Sequence, residues 1–288
     1  MNNILEVHAL NKTYKNFALQ DVTFSLQEDC ITGFIGINGA GKTTTIRSIL
    51  GLALKNSGKI KVLGMDVDTH EREIKDALGV VMDEGCFYNQ LTLNEMKSII
   101  APAYTKWSDN DYRHYLQAFD LDPKQKIATL SKGMRMKYSL VLALSHQAQL
   151  LIMDEPTSGL DPLVRSQLLE IMADYMKQGG KGVFFSTHIT SDLDKIADML
   201  ILIDHGKIVF EKSKDELLDQ YRLVKGDPSL LSNEHKKHLM NLELTSYGFS
   251  GITADWSKIQ KSIPDIVLEK VDVEAIMLAY LKRRNSNA

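Results

Sequence analysis

Cysteine is scarce in this chain of 288 residues, with only Cys30 and Cys86 present. Two cysteines far apart in the sequence suggest neither a disulfide framework nor a zinc site, and they are typical of the reducing cytosol. Long hydrophobic runs are missing too, since the longest, Ala275 to Leu281, is far below the roughly 20 residues that span a bilayer. If this protein serves a membrane, we therefore expect a separate chain to span it.

An excess of basic residues is also missing. The formal net charge is -3, which argues against a nucleic acid binder held mainly by electrostatic attraction. A hydrophobic content of 44% and a charged content of 25% match an ordinary globular protein. We therefore expect no nucleic acid partner.

Strand-like and helix-like segments alternate along most of the chain, which predicts an α/β fold with a parallel sheet. Ile31 to Ile35 is predicted to be a short buried strand, and Leu150 to Met153 is fully apolar, as strands of parallel sheets are. Asp161 followed by proline predicts the start of a helix, and Ser191 is predicted to cap another.

The middle and the end of the chain differ from this alternating pattern. Residues 88–130 are mostly helical in character, with a capping box at Thr92 to Glu95. After about residue 221 we predict a small α/β tail, with strand-like pieces at 242–245 and 266–268 and a final helix.

A glycine-rich loop follows the strand 31–35 and opens a helix, which is the setting that a phosphate-binding loop requires. Backbone N–H groups of such a loop face the phosphates, and bulky side chains would block that approach. Lys42 is placed to neutralise the terminal phosphates, and the Thr43 hydroxyl to bind Mg²⁺. The predicted nucleotide-binding residues of the loop are Gly36, Asn38, Gly39, Ala40, Gly41, Lys42, Thr43 and Thr44.

Two acidic residues, Asp154 and Glu155, end the apolar strand 150–153. A charge at the end of a buried strand is costly unless the chemistry needs it. Asp154 suits the coordination shell of Mg²⁺, and Glu155 suits a general base that polarises the attacking water. Alone, the pair would equally fit two acids at a solvated strand end, but the phosphate loop upstream favours a catalytic pair.

A third motif, Leu130-Ser-Lys-Gly-Met134, stands at the start of an apolar helix. Read alone it is a serine-capped helix. Together with the two motifs above, it resembles the signature sequence of the ABC ATPase family, which is usually Leu-Ser-Gly-Gly-Gln. Lys132 and Met134 depart from that pattern. The resemblance implies that Ser131, Gly133 and the helix N-terminus hold a γ-phosphate across a dimer interface.

Further sequence motifs of the family follow, in the same order along the chain as in the family. The segment from Ser158 to Asp161 resembles the D-loop, which assigns Asp161 to the nucleotide site. His188 resembles the switch histidine, and Tyr14 stands where the family places an aromatic ring that stacks on adenine. Each of these residues alone would more often be structural, and only their order and position favour the functional interpretation.

The resemblance covers about residues 3–220 and implies an ATPase that uses ATP and Mg²⁺ to drive transport through a separate polytopic membrane subunit. It implies a P-loop NTPase core with a parallel sheet in residues 1–220, an inserted helical subdomain at about 88–145, and a small C-terminal α/β extension at 221–288. Two protomers are required, either two copies of this chain or this chain and a related ATPase. The expected location is the cytoplasmic face of a bacterial cell membrane.

One position departs from the family. Where the family has a glutamine before the helical subdomain, this chain has Asp83. With the Lys-Gly-Met signature and the folded tail, this departure resembles the branch of ATPases from bacterial peptide-antibiotic resistance and peptide export. A carboxylate near a γ-phosphate is repelled, by about 4 kcal/mol at ~4 Å and an effective dielectric of 20. We therefore assign Asp83 to the Mg²⁺ site, directly or through one water. The alternative is that Asp83 faces solvent while Glu84 or another residue takes the place of the glutamine.

The assignment of Asp83 to the Mg²⁺ site is testable by a magnesium titration. Replacing Asp83 by Ala should raise the Mg²⁺ concentration needed for half-maximal ATP hydrolysis, because one oxygen near the metal is lost. Asp83→Gln should largely preserve activity, because it restores the residue that the family has. An Ala variant that tracks the wild type would leave Asp83 without a role at the metal.

Two other classes of function remain open at this stage. The first is an ABC ATPase that acts on DNA or ribosomes, but such chains carry coiled coils or paired domains, and this one has no heptad run. The second is a regulatory subunit that binds ATP without hydrolysing it, against which Glu155 and His188 argue.

In the family a groove beside the helical subdomain receives a helix of the membrane partner. The candidate groove residues here are Phe87, Tyr88 and Leu91, and the alternative for them is ordinary core packing.

Overall fold

The computed structural model describes residues 2–82, 87–263 and 265–285. In chain order, the strands are β1 (Asn3–Tyr14), β2 (Phe17–Gln27), β3 (Cys30–Ile35), β4 (Ser57–Val62), β5 (Met65–Asp66), β6 (Leu78–Val81), β7 (Leu150–Asp154), β8 (Gly182–Thr187), β9 (Met199–Asp204), β10 (Lys207–Ser213), β11 (Arg222–Gly226), β12 (Met240–Leu244), β13 (Phe249–Thr253) and β14 (Val267–Lys270).

The helices are α1 (Lys42–Ile49), α2 (Glu71–Ala77), α3 (Leu93–Ile100), α4 (Asp109–Ala118), α5 (Lys132–Leu144), α6 (Pro162–Met176), α7 (Thr190–Ile196), α8 (Lys214–Gln220), α9 (Asn233–Lys237), α10 (Trp256–Ser262) and α11 (Val273–Asn285). The chain divides into two compact units. The first comprises Met1–Ile189 and Ile201–Glu211, and the second comprises Thr190–Leu200 and Lys212–Ala288.

The first unit is built on a six-stranded sheet with the order β10-β9-β3-β8-β7-β6. Its four strands β3, β8, β7 and β6 run parallel, and β7 is buried along its whole length. The register places Ile35 beside Thr187 and Asp154 beside Ser186. Since the carboxyl ends of parallel strands meet at one edge of a sheet, the loops that follow β3, β7 and β8 begin side by side. The predicted α/β class with parallel strands is confirmed.

An antiparallel sheet with the order β2-β1-β4-β5 shares a hydrophobic core with the six-stranded sheet. Phe24 of β2 lies with its ring centroid 5.7 Å from those of Phe34 in β3 and Phe184 in β8. The aromatic rings thus fill the space between the two sheets, where burial of large apolar side chains contributes most to stability. This core holds β3 firmly beneath the loop that follows it.

The helical segment comprises α3, α4 and α5. Thr92 and Glu95 form the predicted capping box at the start of α3, and the Ser108 side chain caps α4. The Tyr138 hydroxyl on α5 donates to the carbonyl oxygen of Leu93 at 2.7 Å and so joins α5 to α3. The predicted inserted helical subdomain is therefore present as helices.

The second unit contains a sheet with the order β12-β13-β11-β14, in which the neighbouring strands are antiparallel. Its core is formed by Val224, Leu231, Leu239, Phe249, Ile259 and Ile263. The predicted strands near 242–245 and 266–268 and the final helix are present, whereas β11 and β13 were not predicted. The prediction that Ser191 caps a helix is wrong, because α7 already begins at Thr190.

The boundary predicted between residues 220 and 221 stays a prediction. In the part of the chain that the structure describes, no helix has both the length and the apolar character needed to cross a membrane.

Candidate nucleotide-binding and catalytic site

The glycine-rich loop leaves β3 and turns sharply into α1. Gly39 and Gly41 adopt φ angles of 81° and 118°, which residues that carry a Cβ rarely adopt. A Cβ at Gly41 would also lie 2.8 Å from the side chain of Leu19 and 2.9 Å from that of Phe17. A Cβ at Gly39 would meet no atom within 4 Å, so the loop is open on that side. This backbone has the shape that a phosphate cradle requires.

A hairpin from another part of the first unit holds the loop in place. The Gly206 N–H donates to the carbonyl oxygen of Ala40, and the Gln20 N–H donates to the carbonyl oxygen of Gly206, both at 2.8 Å. Gly206 has a φ of 74°, and a Cβ there would lie 1.9 Å from the carbonyl oxygen of Ala18. The contact of this hairpin with the phosphate loop was not predicted from the sequence.

Lys42 is the first residue of α1, and its side chain is almost fully buried, with 5% exposure for the residue. The ammonium group donates to the carbonyl oxygen of Gly36 at 2.7 Å. It also lies 3.1 Å from Oε1 of Glu155. A buried ammonium group is stable only with such partners, and phosphate oxygens are partners of the same kind.

The two acids at the end of β7 have different surroundings. Asp154 is 4% exposed, and its Oδ1 accepts a hydrogen bond of 2.6 Å from the Ser186 hydroxyl. Glu155 has a φ of 51°, and its N–H donates to Ser186 Oγ at 2.9 Å and lies 3.2 Å from the Ser186 carbonyl oxygen. For an L-residue with a Cβ this left-handed conformation costs about 1–2 kcal/mol. The backbone is thus held in a strained turn immediately after the buried carboxylate.

The carboxylate of Glu155 lies between a cation and an imidazole. Its Oε1 contacts Lys42, and its Oε2 lies 2.7 Å from Nδ1 of His188. Because an ionised carboxylate only accepts hydrogen bonds, Nδ1 of His188 carries the proton in this contact. The three side chains form a chain of charge-assisted contacts at the edge where β3, β7 and β8 end.

A cavity of about 640 Å³ opens onto this edge. Of the predicted site residues, it is lined by Asn38, Gly39, Gly41, Lys42, Thr43, Thr44, Glu155 and His188. Asn16, Phe17 and Ile37 also line it and were not predicted, and Ser158, the first residue of the predicted D-loop segment, lines it as well. Phe17 is an aromatic residue close in sequence to the predicted adenine-stacking Tyr14, and this proximity was the available signal.

The predicted residues that do not line this cavity are Tyr14, Gly36, Ala40, Ser131, Gly133, Asp154 and Asp161. Tyr14 is exposed, with the Lys12 ammonium group 5.0 Å from its ring centroid. Ser131 caps α5 by accepting from the Met134 N–H at 3.2 Å, with Gly133 in the first turn of α5. Asp161 caps α6 and accepts from the N–H groups of the second and third residues of that helix. Asp83 lies outside the described residues.

The donor set at the strand edge fits Mg²⁺, which prefers oxygen ligands and is often held by one or two carboxylates together with substrate phosphates. The Asp154 carboxylate and the Thr43 hydroxyl supply such oxygens, and Thr43 faces the cavity. A phosphate loop after β3, an acidic pair after β7 and a histidine after β8 define a nucleoside triphosphatase of the P-loop class.

Comparison with known proteins defines the family within that class. Residues 19–158 match the ABC transporter family. The chain is 32% identical to the bacitracin transport ATP-binding protein BcrA of Bacillus licheniformis, over 77% of this chain and 74% of that protein. It is 33% identical to the ABC-type transporter ATP-binding protein EcsA of Bacillus subtilis (strain 168), over 76% of this chain and 90% of that protein.

A solved structure described as the ATP binding subunit of an ABC transporter is 31% identical, with a TM-score of 0.69 over 75% of this chain and 92% of that one. The chain therefore belongs to the ABC transporter family, as one of its ATP-binding subunits. It binds ATP and couples ATP hydrolysis to transport, together with separate membrane-spanning components. Such subunits are peripheral to the membrane.

Proposed function

We propose that the strand edge of the first unit carries out hydrolysis, with a distinct role for each side chain. Lys42 neutralises the terminal phosphates, and Thr43 and Asp154 hold Mg²⁺, which on binding would offset phosphate charge. Glu155 accepts a proton from the attacking water, and His188 orients Glu155. The observation that carries this proposal is the position of Glu155, whose two carboxylate oxygens contact Lys42 at 3.1 Å and His188 at 2.7 Å.

A steady-state phosphate-release assay on the purified chain tests this assignment. Release should require Mg²⁺ and stop when EDTA is added, because a site that holds the metal through a few protein oxygens and the phosphates gives it up to a chelator. ATP binding without phosphate release under all conditions would instead favour a regulatory subunit.

We infer that the working unit contains two ATPase protomers. Ser131, Gly133 and Asp161 do not line the cavity of their own chain, although the family resemblance assigns them to a nucleotide site. The N-terminus of α5, a helix of 13 residues, offers a positive dipole end to an anion. A second protomer that presents this end to the cavity would complete the site, and it is either a second copy of this chain or a related ATPase.

We further propose that the dimer works at the cytoplasmic face of a bacterial membrane and drives export of, or resistance to, peptides or other amphipathic compounds. The similarity to a bacitracin transport protein supports this class of cargo. The exposed side chain of Tyr88, just before the helical segment, supports a contact with the membrane-spanning partner. Phe87 is less suited to that contact, because its ring packs 5.3 Å from that of Tyr138.

Replacing Tyr88 by Glu should release the membrane partner while the chain stays folded, because Tyr88 is 65% exposed and its ring fills no core position. Co-purification of the tagged chain with its partner measures the effect. Tyr247→Glu is the matched control, since this tyrosine of the second unit is also exposed. If Tyr88→Glu and the control retain the partner equally well, the proposed contact is wrong. Unfolding of Tyr88→Glu would also contradict it.

A further inference from the structure

Ser186 occupies a position that no nucleotide-site motif singles out. It lies in β8 beside the end of β7, and it is fully buried, with 0% exposure. Its hydroxyl donates to Asp154 Oδ1 at 2.6 Å and accepts from the Glu155 N–H at 2.9 Å. One hydroxyl group thus joins two consecutive acidic residues, to which the proposed function gives different tasks.

The two hydrogen bonds act on different degrees of freedom. The bond to Asp154 fixes the side-chain torsions of a buried carboxylate, because turning that carboxylate away would leave the hydroxyl without its acceptor. The bond from Glu155 fixes a backbone at a φ of 51°, which the chain adopts only when its surroundings stabilise it. Ser186 therefore determines where both carboxylates point.

The neighbouring Thr187 shows that contact with the acidic pair is not a general property of the hydroxyl groups in β8. Thr187 is equally buried, but its hydroxyl accepts from the N–H of Ile189, two residues along the chain. It therefore shapes the local turn. The Ser186 hydroxyl instead reaches across to the acidic pair, because the parallel register places it opposite Asp154.

We propose that Ser186 is a positioning residue for ATP hydrolysis, which orients Asp154 toward Mg²⁺ and holds Glu155 in place. This inference rests on the roles proposed above for Asp154 and Glu155. It assigns Ser186 no contact with the nucleotide, so its removal should affect metal use and turnover and leave nucleotide binding without metal unchanged.

The test compares Ser186→Ala and Ser186→Thr with the wild type and with Ser145→Ala. Ser145 is a matched control, because it is also fully buried and its hydroxyl donates only to a carbonyl oxygen of its own helix, that of Val141. Four quantities are measured for each variant: kcat, the Mg²⁺ concentration at half-maximal hydrolysis, the affinity for a fluorescent ATP analogue in EDTA, and the midpoint of thermal unfolding.

In Ser186→Ala we expect kcat to fall, and the half-maximal Mg²⁺ concentration to rise, by roughly 10- to 100-fold, as when a group that orients a metal ligand is removed. Affinity for the analogue in EDTA should stay within about twofold, or 0.4 kcal/mol. Ser186→Thr keeps the hydroxyl and should recover most of the activity. Ser145→Ala should change only the unfolding midpoint.

Two results would overturn the proposal. If Ser186→Ala has the same kcat and Mg²⁺ dependence as Ser145→Ala, the hydroxyl has no positioning role. If metal-free binding falls together with kcat, Ser186 supports the fold as a whole. A wild-type chain that binds ATP without hydrolysing it would refute the proposed catalytic roles themselves, and this outcome is recognised before any variant is compared.

Discussion

Glu155→Gln is expected to lower steady-state ATP hydrolysis by roughly 10²–10⁴-fold while ATP still binds. The amide keeps the size of the side chain, but it has one acceptor oxygen for the two donors Lys42 and His188, and it cannot accept a proton from water. Glu155 is suited to this role because its carboxylate is held from both sides, at 3.1 Å by an ammonium group and at 2.7 Å by an imidazole. Phosphate release under saturating ATP and Mg²⁺ measures the loss.

The Glu155→Gln variant should also accumulate as an ATP-bound dimer, because in the proposed two-protomer unit bound ATP holds the protomers together until it is hydrolysed. Size-exclusion chromatography with ATP and Mg²⁺ detects this species. Glu269→Gln removes the same charge from an exposed ion pair with Lys225 and should behave as wild type in both assays. Near wild-type turnover in Glu155→Gln would refute its assignment as the general base.

Lys42→Ala should weaken nucleotide binding itself. Removing one partner of a buried, hydrogen-bonded charge pair costs about 2–5 kcal/mol, which is roughly a 30- to 5000-fold rise in Kd. The ammonium group of Lys42 is buried beneath the phosphate loop, so water cannot take its place at low cost. Titration with a fluorescent ATP analogue, with Mg²⁺ and with EDTA, measures Kd directly.

Lys225→Ala is the control for Lys42→Ala, since it removes a lysine from the exposed pair with Glu269. It should bind nucleotide like the wild type, because exposed pairs contribute little. A Lys42→Ala variant whose Kd equals that of this control would show that the contact with Glu155 is structural and that phosphate does not use this lysine.

The sequence was sufficient for the parts of the site that lie close together along the chain. The glycine loop and Lys42 form one short motif, and Asp154 and Glu155 stand at the end of an apolar strand. Parallel pairing of β3, β7 and β8 then brings their ends to one edge, as the alternation of strands and helices predicted. Motif order and strand direction together were enough to place the loop, the acids and His188 near each other.

Contacts between residues far apart in the sequence were not predictable in the same way. The bond from Ser186 to Asp154 joins residues 32 apart, and it depends on the register of β7 and β8 to within one residue. A serine inside a strand carries no motif of its own. The same is true of Gly206, which reaches Ala40 only because the hairpin folds back over the phosphate loop.

The second unit shows a different limit on what the sequence can predict. Strand β11 contains Arg222, Lys225 and Gly226, and strand β13 contains Ser250 and Gly251. These residues have low strand propensity or no alternating pattern, so local sequence gave little signal. Both strands form because the pairs on either side and the core at Val224 and Phe249 stabilise them, and such pairing is a property of the folded unit.

The left-handed backbone of Glu155 also has a consequence for how this chain can evolve. A glycine at this position would relieve the steric cost of the turn, about 1–2 kcal/mol. It would also leave the buried ammonium group of Lys42 without its carboxylate partner, which costs about 3–5 kcal/mol. Stability and turnover therefore favour the same residue, and a lineage that loses its transport duty should keep a carboxylate at position 155 for as long as it keeps Lys42.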